Sequence, residues 1–246
     1  MATDEKARWI LSYGGGVNTT ALMIYLVENK MPIDEAVFAD TGGEIPETYS
    51  YLSIAREYLK NHGIPLKIIH VSVGGTGLYE CATRRRVIPS QVWRWCTRDF
   101  KIRPIYRYYK SLGVHINQYI GIDYGEVHRI KDSQEDFVSN HYPLVDAKID
   151  RKGCIDIIKL EGLPVPPKSG CYFCPFNNHA RWQYILENHP NLYNKALKLE
   201  ENSKHFPKQK LNSYMLRELR PKLIEMNLTL QEDDSSLNMC GGHCML

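Results

Sequence analysis

Two groups of residues in this chain have types and spacings suited to chemistry. The first runs from Ile10 to Leu22, where the apolar Trp9-Ile10-Leu11 enters Ser12-Tyr13-Gly14-Gly15-Gly16-Val17 and then Asn18-Thr19-Thr20. The order reads as strand, glycine turn and helix N-terminus. The N–H groups of such a helix start, at the positive end of its dipole, form an anion site. Glycine lets the backbone approach a phosphate where a Cβ would collide. The hydroxyls of Ser12, Thr19 and Thr20 add donors without charge. The spacing is that of neither the dinucleotide fingerprint nor the Walker loop, because no Gly-Lys-Ser/Thr follows.

The second group is the cysteines, seven in 246 residues. An odd count without a small secreted frame argues for metal or redox use over disulfides. Cys171-Tyr-Phe-Cys174 places two thiolates on a single turn, suited to zinc, an iron–sulfur cluster or dithiol chemistry. Cys96 and Cys154 each stand at the start of an expected helix. With them the chain offers four thiolates, the number a 4Fe–4S cluster takes. A four-cysteine zinc site is the alternative for the same set. Cys154, beside Ile155, Ile157 and Ile158, also reads as a core thiol. Cys81 precedes Arg84-Arg85-Arg86, whose positive potential favours a thiolate, so it is a candidate nucleophile or sulfur carrier as well as a bystander. Cys240 and Cys244 close the chain in Cys-Gly-Gly-His-Cys, a possible mobile dithiol.

These groups need a scaffold, and the hydropathy pattern supplies one. Strands are expected at 9–12, 36–40, 66–73 and 118–123, alternating with helices at 20–29, 46–62 and 99–112. That alternation predicts an α/β fold, a doubly wound parallel sheet. Ligands of such sheets sit beyond the carboxyl ends of the strands. There lie the glycine loop, Asp40-Thr41-Gly42, and Gly121 with Glu126 and Arg129. By spacing alone, Asp40 also suits a helix-capping turn, and Glu126–Arg129 an i,i+3 ion pair. After about residue 142 the pattern turns helical (151–161, 180–188, 192–202, 213–226), interrupted by prolines. We expect a nucleotide-binding domain over 1–142, a cysteine-bearing helical appendage over 143–232, and a flexible tail over 233–246.

Gly14-Gly15-Gly16-Val17-Asn18-Thr19 resembles the PP-loop, Ser-Gly-Gly-x-Asp-Ser, of the ATP-pyrophosphatase and phosphoadenosine-phosphosulfate (PAPS) reductase superfamily. It departs from that motif at Gly14, Asn18 and Thr19, and has Val17 where the superfamily often has Lys. Ala39-Asp40-Thr41-Gly42 is similar to the superfamily's second-strand ending, which flanks adenine and ribose. Gly121, Glu126 and Arg129 resemble the segment closing over the phosphates. Cys96-Thr-x-x-x-Lys101 followed by Pro-x-Lys-Ser-Gly-Cys171-x-x-Cys174-Pro resembles the iron–sulfur branch, which includes adenylyl-sulfate reductases and the ATP-pyrophosphatase component of DNA phosphorothioation systems. The resemblance spans roughly residues 8–190. It implies an adenine nucleotide alpha hydrolase-like fold, with ATP and Mg²⁺ at Ser12, Gly14, Gly15, Gly16, Asn18, Thr19, Asp40, Thr41, Gly42, Gly121 and Glu126. It further implies a 4Fe–4S cluster on Cys96, Cys154, Cys171 and Cys174, and charge neutralisation by Arg98, Lys101 and Arg129.

Composition sets the outer bounds. Hydrophobic residues make up 43%, enough for a substantial core, and no run suggests a membrane span or signal peptide, so a cytoplasmic protein is expected. The net charge is +3, yet nine of the basic residues fall within Arg84–Lys110 against the single acid Asp99. That block suits a polyanion, with Trp93, Trp95, Tyr106, Tyr108 and Tyr109 available for stacking or for the core. The expected activity is splitting of ATP to AMP and pyrophosphate, activating a nucleic acid for sulfur transfer, with sulfur from a donor such as a cysteine desulfurase. A homodimer is expected from the resemblance. The alternatives are a PAPS or adenylyl-sulfate reductase releasing sulfite, and a non-catalytic nucleotide- or nucleic-acid-binding module with a structural metal.

Overall fold

The computed structural model describes residues 7–206, 208, 210–212 and 215–225. In chain order the strands are β1 (Arg8–Ser12), β2 (Glu35–Asp40), β3 (Leu66–His70), β4 (Ile116–Ile120) and β5 (Val138–His141). The helices are α1 (Val17–Glu28), α2 (Pro46–Asn61), α3 (Leu78–Arg85), α4 (Trp95–Thr97), α5 (Arg103–Leu112), α6 (Pro143–Asp146), α7 (Arg151–Leu160), α8 (His179–Asn188), α9 (Pro190–Glu201) and α10 (Leu216–Glu225). A π-helical turn covers Arg98–Ile102, and a 3₁₀ stretch covers Tyr124–Arg129. Among the described residues these elements form two compact units built from interleaved segments: 7–40, 46–70 and 103–169 in the first, and 41–45, 71–102 and stretches of 170–225 in the second.

The first unit is the expected α/β layer. Its five strands run in the order β3-β2-β1-β4-β5, every neighbouring pair parallel. The chain winds outward from β1 through β2 to β3, then returns to β1's other side with β4 and β5. The switch point therefore lies beyond the ends of β1 and β4, where sheets of this kind bind ligands. The glycine loop leaves β1 at that point, and Gly121 leaves β4 beside it. Parallel strands covered on both faces read as near-continuous apolar runs. Ile10, Leu11, Ala36, Val37 and Phe38 fit that rule, all 2% exposed or less.

The sequence expectation misses β5, because Val138-Ser-Asn-His141 carries one apolar residue and no alternation. It is an edge strand paired only with β4, half-exposed after Val138. β4 ends at Ile120 and not Asp123, since the Ile122 amide turns back to the Ile120 carbonyl at 2.9 Å. Helix α7, expected in the appendage, packs on α1 inside the first unit. Its Ile158 joins the core cluster of Leu22, Leu26 and Tyr119.

The second unit holds the expected helical appendage. Helices α8, α9 and α10 pack on one another, with Trp182 edge-on to Tyr193 at 5.9 Å and both rings fully buried. Glu200, also fully buried, accepts the Leu211 and Leu216 amides at 2.8 Å each. Burial pushes its carboxyl upward, and those two amides oppose the shift. Helix α3, which the sequence reading left without an element, packs on α9. Ser213, Met226 and the expected tail 233–246 lie outside the described residues.

The closest backbone constraint in the first unit is Gly121. A Cβ there would stand 2.6 Å from Thr19 Cγ2 and 3.0 Å from both the Thr19 amide nitrogen and Cα. Backbone cannot yield cheaply, so Gly121→Ala is expected to cost about 1–3 kcal/mol through overpacking. Urea unfolding checks this: an unchanged midpoint would show that α1 can move away.

Candidate functional site

In the first unit the loop closes on Thr19. The Gly14 and Gly16 amides both point at Thr19 Oγ1, each at 3.3 Å, and that hydroxyl donates to the Gly16 carbonyl at 3.0 Å. Gly15 takes φ of +72°, a conformation open to glycine at little cost. Gly16 caps α1 in extended geometry, and its carbonyl receives the first helical bond, from Thr20. The Val17, Asn18 and Thr19 amides therefore form the helix's first turn, whose N–H groups have no intrahelical acceptor. The free first-turn amides and the helix dipole give the loop a positive end without any cation in it, while the two glycine amides are taken up by Thr19 Oγ1. Ser12 ends β1 in register with Val37 and Ile120.

Around the loop stands a polar network whose members lie far apart in the chain. Asn18 Nδ2 donates to Asp123 Oδ2 at 2.9 Å and to Glu126 Oε2 at 3.2 Å. Arg151 Nη1 donates to Asn18 Oδ1 at 2.7 Å. Arg129 Nη1 donates to Glu126 Oε2 at 2.7 Å, so the i,i+3 pair exists, with Glu126 at a kink inside the 3₁₀ stretch. Asp123 follows β4 where the sequence places candidates, whereas Arg151 reaches Asn18 across 133 positions, a separation with no local signal. Ser169 was missed too. Its hydroxyl lies 2.7 Å from where a Gly16 Cβ would be, so the absent side chain gives Ser169 its place beside the loop. Asp40 accepts from the Tyr49 hydroxyl at 2.8 Å and lies 3.1 Å from His70 Nδ1.

In the second unit, Cys96, Cys171 and Cys174 line one pocket together with Thr41, Arg94 and Lys101; Leu78, Phe173 and Phe176 supply apolar walls. The Cys171–Cys174 turn is held at three points. Glu44 and Cys171 form an antiparallel bridge, the Tyr172 amide donates to the Gly43 carbonyl at 2.9 Å, and buried Asn177 donates to the Cys171 and Tyr172 carbonyls. A Cβ on Gly43 would meet Cys171 Sγ and Phe173 at 3.2 Å, which explains the glycine after Gly42. Glu44, 6% exposed, sits 3.6 Å from Lys101 Nζ and 3.9 Å from Cys171 Sγ. Burial, then the Glu44 charge, pushes the Cys171 thiol well above its ordinary value. Thr41 Oγ1 is 3.6 Å from Cys171 Sγ, so Thr41 faces the thiols. Gly42 takes φ of +71° at the turn between them.

Two cysteine expectations change. Cys154 belongs to the core cluster of the first unit, fully buried with Leu144 and Ile158, the surroundings of a packed thiol. Cys81 is fully buried in α3, so it presents no nucleophile to a substrate. The adjoining arginines are engaged elsewhere in the second unit. Arg84 reaches the Val73 and Gly74 carbonyls, Arg85 stacks on Trp95 at 5.4 Å and lies 3.6 Å from Asp99, and Arg86 donates to the Asn202 carbonyl. Arg98 is exposed and bound to Asp99 at 2.8 Å, whose hydrogen bond and charge raise its pKa. Among the aromatics of that stretch, Trp95 and Tyr109 are core, Tyr108 donates to Glu35 at 2.6 Å, and Trp93 is 55% exposed.

Three thiols thus line one pocket beside two cationic side chains, the donor type that zinc and iron–sulfur clusters share. Among the described residues, no three His, Cys, Asp or Glu side chains are grouped closely enough to hold a single metal ion. Cys240 and Cys244 lie outside the described residues, and among the described residues no helix is long and apolar enough to cross a membrane.

Residues 8–119, a little under half of the chain, match the family model of the phosphoadenosine phosphosulfate reductase domain. An uncharacterized protein of Methanocaldococcus jannaschii is 25% identical over 240 residues, 91% of this chain and 55% of the relative. The chain thus spans about half the length of that curated relative. Among solved structures, a PAPS reductase from Candida auris, in a phosphate complex, is similar at 18% identity and a TM-score of 0.45, covering 67% of this chain and 78% of that one. The U34-tRNA thiolase NcsA from Methanococcus maripaludis, with its 4Fe–4S cluster, is similar at 15% identity and a TM-score of 0.44, covering 93% and 83%.

Burial raises the Cys154 pKa from 9.0 to about 12, so the unfolded chain gives up this proton first. The stability this contributes is complete below about pH 9 and is lost as pH rises from there towards 12. Native protein at pH 8.5 is expected to resist iodoacetamide at Cys154 and to react there once unfolded. Rapid labelling of folded protein, read by peptide mass, would show the thiol to be accessible.

Proposed function

We propose that this protein binds ATP at the glycine loop, splits it to AMP and pyrophosphate, and activates a nucleic-acid acceptor for sulfur transfer. The observation that carries this reading is the pairing, in one chain, of a cation-free oxyanion cradle with a pocket lined by Cys96, Cys171 and Cys174. The first-turn amides of α1 bind phosphate oxygens, and the Gly14 and Gly16 amides join them when Thr19 Oγ1 gives way to a phosphate oxygen. Arg129 and Arg151 offset negative charge that develops at the phosphate, the usual electrostatic strategy in phosphoryl transfer. Mg²⁺ accompanies the nucleotide, and Asp40 at the end of β2 meets its ribose.

Cys96, Cys171 and Cys174 hold a 4Fe–4S cluster, with zinc as the alternative occupant. When bound, such a cluster would supply iron chemistry suited to sulfur transfer. Cys154 contributes no ligand in this reading. Lys101 balances Glu44 beside Cys171, and Arg94 brings a second positive group to the pocket. The acceptor is proposed to be DNA in preference to RNA, a preference carried by the resemblance alone, with exposed Trp93 available to stack on a base. A cysteine desulfurase is the proposed sulfur donor, and a homodimer the proposed assembly.

The family match at residues 8–119 favours a second reading, reduction of PAPS or adenylyl sulfate with release of sulfite. Anaerobically purified protein should be given Mg-ATP in one tube and PAPS in another. AMP and pyrophosphate from the first, with no sulfite from the second, is the expected outcome; sulfite would install the reductase instead. Cys171→Ser is expected to lose most bound iron and its charge-transfer absorption, whereas Cys154→Ser keeps both. Full iron content in Cys171→Ser would remove the pocket from the proposal.

A further inference from the structure

Asn18 faces opposite charges on its two sides. Its Nδ2 serves the Asp123 and Glu126 carboxylates, and its Oδ1 receives the Arg151 guanidinium. An amide alone among side chains of this size offers donors at one atom and an acceptor at the other. The partners also fix which way it points, since a flipped amide would set oxygen against carboxylates and NH₂ against guanidinium. Asn18 is 8% exposed and Asp123 is 4% exposed, so water cannot replace a lost partner. A carboxylate at position 18 would keep Arg151 but add a third negative group beside Asp123 and Glu126, with no proton to share.

We propose that Asn18 is a positioning residue whose neutral amide is matched to the charge on Asp123. The pair sets Arg151 on one side and the Glu126–Arg129 couple on the other, around the first turn of α1. This inference rests on the nucleotide reading of the loop. It gives the departure of Asn18 from the superfamily's Asp a physical reason: beside the Asp123 and Glu126 carboxylates the side chain must donate. Two consequences follow that a degenerate loop would not produce. Asn18→Asp, although it moves the loop nearer the motif, impairs nucleotide binding. Asp123→Asn, which impairs binding alone, repairs it in the Asn18→Asp background.

The test is a double-variant cycle on the full chain: wild type, N18D, D123N and N18D/D123N. ATP binding is read by titration calorimetry with and without Mg²⁺, well below each variant's thermal midpoint, and the midpoints are recorded separately. Each single variant is expected to bind ATP roughly tenfold more weakly, and the double variant to return to within about threefold of wild type. A merely structural role would move the midpoints and leave the affinity of the folded variants unchanged, which would overturn the proposal. So would N18D binding as tightly as wild type, or a double variant no better than the weaker single one. Wild-type protein that binds no ATP would sink the nucleotide reading itself, and this inference with it. An N18D variant too unstable to titrate leaves the comparison of D123N with the double variant, which must show the same repair.

Discussion

The contact on which the first unit depends is the approach of Gly121 to the first turn of α1. A hypothetical Cβ at Gly121 falls 3.0 Å from the Thr19 backbone, so the exit of β4 and the start of the helix touch main chain to main chain. That contact carries Asp123, two residues on, to the side of Asn18. It also sets the glycine loop and the end of β4 together at the sheet's switch point, where the strand order turns from β1 towards β2 on one side and β4 on the other. Neither the cradle nor the network around Asn18 would have its geometry if a side chain stood between them.

The second unit works by a different constraint. Its pocket is organised by a short backbone bridge between Glu44 and Cys171, which brings a CxxC turn alongside the segment that follows β2 in sequence. Gly43 makes that approach possible because Cys171 and Phe173 fill the space a Cβ would need. The half-satisfied Glu44 carboxylate, with Lys101 at 3.6 Å, then gives the thiol wall a local charge pair. Buried carboxylates with incomplete partners are costly and are retained where they do something other than stabilise.

The polar residues that read as one class in sequence divide into distinct physical roles. In the run from Arg84 to Lys110, some arginines cap carbonyls or pair with Asp99, Lys101 enters the thiol pocket, and Trp95 and Tyr109 build cores. A one-sided charge run is therefore a poor guide to a binding face until its intramolecular partners are known. The same holds for cysteines: identical in sequence weight, they split into three pocket thiols and two buried ones among the described residues.

What the sequence determined alone was whatever depends on short range. The parallel α/β pattern, the glycine loop and its helix, the CxxC turn and the later helices all follow from periodicity, glycine freedom and capping within a few residues. The edge strand β5 escaped, because its polar composition carries no periodic signal, and α3 escaped because it is short and ends in arginines. Only the tertiary structure decided which distant groups meet: Asp123 and Arg151 on Asn18, Ser169 on the glycine loop, Glu44 on Cys171, and Cys154 in the core. The reason is physical. Local propensity is settled by neighbours in the chain, whereas a buried donor or charge must find its partner wherever packing brings one, and sequence distance does not enter that choice.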